Sequence, residues 1–244
     1  MTCIIKIYDQ QELKDPILIE GLPGIGLVAN LATSFLIEEL DAKLLGEVFS
    51  SSFQGVAITK GKGELGFSAS RLYYHRGRNG ERDLILLYGV TQALTTRGQY
   101  EFCWRLLETV EKLGCRKVIT LGGYRPGREV TEPKLYYASS DHEMAREAEN
   151  LEAENLKGRI FGVAGLLVGL CRLRGMRGYC LLAETPGDRP DKVAAREISR
   201  ALMTVLDLKL DLSKDITTLE EIPEAKSPKL SPPEDRKASP RWFV

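Results

Sequence analysis

An α/β layered domain is predicted, and three observations carry that expectation. Short apolar runs without polar alternation recur along the chain: ILIEG (17–21), DLILLYG (83–89), KVITLGG (117–123) and YCLLAET (179–185). Stretches with helical apolar spacing separate them. A chain of 244 residues is long enough for one substantial core. Strands that are apolar on both sides need cover on both faces, so a three-layer α/β/α arrangement with a mostly parallel central sheet is expected, plus a disordered C-terminal tail.

The elements follow in order. ILIEG reads as a buried strand running into a glycine turn, and Val28, Leu31, Ala32, Phe35, Leu36 and Leu40 then repeat at helical spacing. Residues 49–83, with clustered β-formers and glycines, read as strand and hairpin material at one edge or end of the sheet. After the strand at 83–89, a helix carries Cys103, Leu106, Leu107, Val110 and Leu113 on one face, and Gly114 closes it. The apolar stretch FGVAGLLVGLCRL (161–173) is too short to span a bilayer and reads as a buried helix. The last helix has Pro190 near its start and an inward stripe of Ile198, Ala201, Leu202, Val205 and Leu206. A core domain of residues 1–212 is expected.

Composition narrows the function. Lys plus Arg and Asp plus Glu both total 34, and no charge block is long enough to make a basic stripe. Nucleic acid is therefore not expected as a partner. The N-terminus lacks a basic segment followed by an apolar run, and no membrane partner is expected. Five cysteines without a CxxC pair fit a reduced, cytoplasmic protein with no bound metal.

Several constellations bear on chemistry. GLPGIGLVAN (21–30) follows a strand and opens a helix, and Gly24, Gly26 and Ala29 fit a dinucleotide fingerprint with Glu47 at ribose distance. A tight turn that needs glycine for sterics is the preferred reading. LGGYRPGRE (121–129) offers Arg125 and Arg128 to an anion, and TPGDRPD (185–191) is a further loop of the same kind. No nucleophile or general base stands beside these loops, so turns or a protein surface are favoured over a small-molecule pocket. His75 is placed in or near a hairpin. His142 follows Asp141, an N-cap candidate, and precedes Glu143; adjacent helical residues diverge and do not assemble acid-base machinery. Gly162, Gly165 and Gly169 leave one side of the 161–173 helix almost bare, for close packing within the chain or between subunits. No cofactor and no catalytic residue is expected.

Beyond Asp211 the composition changes. Residues 213–240 hold Pro223, Pro228, Pro232, Pro233 and Pro240 and no aromatic residue. A flexible Pro-rich linker over 213–244 is expected. It nevertheless ends in SPRWFV, where Trp242 and Phe243 are out of place in a polar tail that has nothing to bury them.

The segments IEGLPGIGLVANLA, YGVTQALTTRGQYEFCWRLLETVEKLGCRKVITLGGY and LLAETPGDRPDKVAA, in that order, resemble the proteasome assembly chaperone family in its archaeal branch. The resemblance covers most of residues 16–207. It implies a nucleoside-phosphorylase-like fold without catalysis, and a homo-oligomer. Some archaeal members carry a C-terminal hydrophobic-aromatic-any tripeptide that docks between α subunits of the proteasome core particle. Trp242, Phe243 and Val244 match it, which makes the Pro-rich stretch a tether and implies a partner lysine for the Val244 carboxylate. Phe243 stands where the family usually has tyrosine, so ring burial is retained and a phenolic hydrogen bond is lost. The competing reading is a nucleoside-phosphorylase-like enzyme or small-molecule-binding α/β protein.

Overall fold

The structure is a computed structural model that describes residues 2–8, 11–59, 65–78, 80–219 and 242–243. Its centre is a set of four parallel strands: β2 (Ile17–Gly21), β7 (Leu84–Gly89), β8 (Lys117–Tyr124) and β11 (Arg177–Glu184), in the order β11-β8-β2-β7. Successive side chains alternate between two cores, as a pleated strand requires. Ile17, Ile19, Leu84, Leu86, Ile119 and Leu181 point to one side. Leu18, Ile85, Leu87 and Val118 point to the other. Both faces are apolar because both are covered, so no polar alternation survives in the sequence.

Helices α1 (Val28–Glu39), α3 (His142–Glu149) and α5 (Lys192–Leu206) cover the first face. Helices α2 (Thr96–Lys112) and α4 (Val163–Cys171) cover the second. Among the described residues three of the five α-helices carry a side-chain N-cap, of which Asp141 was expected from the sequence. Thr95 accepts from the Gly98 N–H, Asp141 from Glu143 and Met144, and Asp191, directly after Pro190, from Val193 and Ala194. Gly114, with φ +90°, follows α2 and permits the left-handed exit there.

The flanks differ from expectation. On one side of the parallel core lie β9 (Leu135–Ser139) and β10 (Glu154–Asn155). On the other lie β6 (Ser70–His75), β3 (Lys43–Ser50), β1 (Cys3–Ile7) and β12 (Trp242–Phe243). Of the nine pairings in this ten-stranded sheet, five are antiparallel. The mostly parallel sheet is thus corrected to a mixed one with a parallel centre. Apolar runs report burial and not direction; direction is set by the connections, and β6 returns into β7 as a hairpin. A separate two-stranded hairpin, β4 (Ala57–Thr59) with β5 (Leu65–Phe67), stands outside the main sheet.

The described packing continues past residue 212. Ile216 and Leu219 are buried in the first core, the Leu219 N–H donates to the Tyr88 hydroxyl at 3.1 Å, and Lys192 pairs with Asp215 at 2.9 Å. Residues 220–241 and Val244 lie outside the described residues.

Candidate functional site

Ligands in α/β sheets usually bind beyond the carboxyl ends of parallel strands, where the three glycine-rich loops converge here. The geometry shows why those loops need glycine. A Cβ on Gly26 would meet Thr185 Oγ1 at 2.7 Å, and one on Gly123 would meet the Ile25 carbonyl oxygen at 2.3 Å. The Asp191 N–H donates to the Gly26 carbonyl at 2.9 Å, and the Thr185 hydroxyl bonds Asp191 at 2.7 Å. Loop 22–27 therefore lies against loop 185–191. Gln92 ties in a third loop: its amide donates to the Pro23 carbonyl at 2.6 Å and accepts from the Val163 N–H at 3.2 Å. Glu47, the ribose candidate, sits on β3, with β7 and β6 between it and β2, and accepts from the Tyr8 hydroxyl.

The two arginines of loop 121–129 are engaged within the chain. Arg128 Nη2 donates to both carboxylate oxygens of Glu184 at 2.6 and 2.7 Å, and Glu184 is fully buried. The Tyr136 hydroxyl donates to the same carboxylate at 3.0 Å; burial and that contact raise the phenol's pKa. Arg125 donates to the Gly187 carbonyl at 3.0 Å. The other candidates stand apart. His75 Nδ1 lies 3.1 Å from the Leu40 carbonyl, Asp141 caps α3, and Glu143 pairs with Arg177. Among the described residues no group of three or more His, Cys, Asp or Glu could hold a metal, and all five cysteines are free and buried. No described helix is long and apolar enough to cross a membrane.

One residue escaped the sequence reading. Glu20, the only charged residue of ILIEG, is buried, and its carboxylate accepts from the Leu22 N–H at 2.9 Å. Burial pushes its pKa up to about 8, against the pull of the Leu22 and Leu121 backbone N–H groups. Its signal was visible as a lone acid in an apolar strand.

The loop end of the sheet also carries exposed apolar side chains, Ile25, Val90, Leu94 and Phe161, the last 84% exposed. On α4, Gly165 is close-packed within the chain: an added Cβ would lie 2.8 Å from the Ile160 carbonyl oxygen. Gly169 faces open space. The tail residues Trp242 and Phe243 form β12 beside β1, antiparallel, with Phe243 opposite Ile5 and Trp242 opposite Lys6.

Comparison with known proteins adds a second kind of observation. The model described as PAC2 family matches residues 18–227. The crystal structure of Pyrococcus furiosus PbaB, described as an archaeal proteasome activator, superposes with a TM-score of 0.81 at 34% identity, over 86% of this chain and 91% of that one. Pyrococcus furiosus PbaA, described as an archaeal homolog of proteasome-assembly chaperone, gives 0.72 at 29% identity, over 86% and 88%. The uncharacterized protein MJ1210 of Methanocaldococcus jannaschii is 30% identical over 211 residues, 86% of this chain and 81% of its own.

Proposed function

The chain belongs to the PAC2 family, that of the proteasome assembly chaperones, and from that premise we propose that it is a non-catalytic, proteasome-binding protein of the activator or assembly-chaperone type. Its C-terminal Trp242, Phe243 and Val244 dock into pockets between α subunits of the core particle. The observation that carries this reading is the likeness to the archaeal proteasome activator PbaB, at 34% identity over most of both chains. The tail adds independent support, since two adjacent aromatics, Trp242 and Phe243, behind a polar Pro-rich segment have the chemistry of a tethered plug.

A homo-oligomer is part of the proposal. Ile25, Val90, Leu94 and Phe161 expose apolar surface at one end of the sheet, which a second subunit would cover. The competing nucleoside-phosphorylase-like reading loses its anion site, because Arg128 already serves the buried Glu184. The deciding experiment is a pulldown on purified core particles with the full chain and with a chain lacking Trp242 to Val244. Retention of the full chain alone is the expected result. Equal retention of both removes the tail from the mechanism.

A further inference from the structure

Beside β1 lies an open groove of about 570 Å³ whose lining includes Thr2, Ile4, Phe49, Phe53, Val56 and Phe67. Phe67, on the β4–β5 hairpin, is 77% exposed, and Val56 just before that hairpin is also exposed. β1 would be the edge of the sheet if β12 did not pair with it. An edge strand presents a row of backbone donors and acceptors ready for another strand.

Three observations point to the groove's occupant. Trp242 and Phe243 pair with Lys6 and Ile5. In that antiparallel pairing the step from Trp242 to Phe243 runs toward the Ile4 and Thr2 end of β1, and both residues line the groove. The chain between Leu219 and Trp242 is 22 residues, 220 to 241, and can extend to about 80 Å, ample for reaching any part of the core. We propose that the groove and the free edge of β1 form a resting dock for this chain's own C-terminal segment. The tail then adds a strand to its own core and is withheld from a partner until it lets go. The regulatory part rests on the reading of the tail as a docking device.

Because only the released tail can engage a partner, the apparent dissociation constant is the intrinsic one divided by the released fraction. A tail parked nine-tenths of the time weakens binding about tenfold. The sequence makes a direct test possible, since the chain holds two tryptophans, Trp104 and Trp242. In full-length Trp104→Phe protein, acrylamide quenching reports Trp242 alone. We expect its quenching constant to be about threefold below that of a free peptide of the last ten residues, with the reduced accessibility arising from the fold-back. Ile4→Glu and Phe49→Glu should raise it to the peptide's value and tighten binding to core particles by about three- to tenfold. Thermal melts check that these variants fold; should they fail, the parent against the peptide decides. A parent as quenchable as the peptide overturns the dock. Shielding that disappears on dilution places the tail on a second copy and overturns the own-chain form. Shielding without any binding to core particles supports the dock and sinks the proteasome reading, whereas binding with an unshielded Trp242 does the reverse.

Discussion

Glu20 is the residue where burial and ionisation conflict most openly. Folded, its carboxyl keeps a proton up to about pH 8, whereas the unfolded chain releases it near the ordinary value of 4.5. Between those values the unfolded state binds fewer protons, so stability falls as pH rises through that window. Below pH 4.5 both states are protonated and the group contributes no pH dependence. Glu20→Gln keeps the shape and removes the titration. The expected outcome is a melting temperature close to the parent's at pH 4.5 and clearly above it at pH 8.5. Calorimetry at both pH values checks this, and parallel shifts at the two would reject it. Glu184 is equally buried but is compensated differently, by the Arg128 guanidinium, whose Nη2 donates to both carboxylate oxygens, and by a hydrogen bond from the Tyr136 hydroxyl. Two buried acids on neighbouring parts of the sheet thus solve one problem in two ways, by holding a proton and by holding a cation. The sequence carries the first as a lone acid in ILIEG, a signal that the sequence reading passed over. It hid the second, because Arg128 and Glu184 are 56 residues apart and only the fold brings them together.

The same division between local and long-range information holds for whole elements. Helices α1, α2, α4 and α5 were readable because periodicity, caps and closing glycines are local signals. The centre of the sheet was readable from its unbroken apolar runs. Strand direction was not, since a buried strand has the same composition whichever way it runs, and every flank pairing but the parallel β9–β10 turned out antiparallel. On α4 the glycines share one sequence pattern and have opposite surroundings. A methyl at Gly165 would press on Ile160, so Gly165→Ala should destabilise by about 1–3 kcal/mol, as overpacking does. Gly169 has no heavy atom within 4 Å of an added Cβ, so Gly169→Ala should gain about 0.5–1 kcal/mol of helix propensity. Urea melts measure both. A destabilised Gly169→Ala together with a lower mass by light scattering would put a second subunit on this face of α4.

For the whole molecule, the ordered body and the tail have to be separated at the right place before the tail can be tested. Ile216 and Leu219 are buried in the body, each worth about 1.5–3 kcal/mol. A chain stopped after Leu219 should therefore lose only the tail's own pairing with β1, about 1.4 kcal/mol if the tail is parked nine-tenths of the time, and one stopped after Leu212 should lose several degrees more. From Trp242 and Phe243 a receiving pocket can draw about 2–3 kcal/mol each by burial. A charge-assisted contact to the Val244 carboxylate adds about 1.5–3 kcal/mol. That gross sum of about 5.5–9 kcal/mol must offset lost rigid-body freedom and the ordering of the chain that carries the tail, which leaves a single tail at about micromolar affinity or weaker. In the proposed homo-oligomer several tails would raise the effective concentration and convert weak docking into useful avidity. Deleting Trp242 to Val244 should then abolish binding to immobilised core particles while leaving oligomer mass unchanged and lowering the melting temperature only by the loss of the tail's pairing with β1. Phe243→Ala should come close to that loss. Phe243→Tyr should bind at least as well as the parent, and one residue added after Val244 should weaken binding by moving the carboxylate. Surface plasmon resonance on the core particle measures the series, and a tail-less chain that binds as tightly as the full one would show that the body makes the contact.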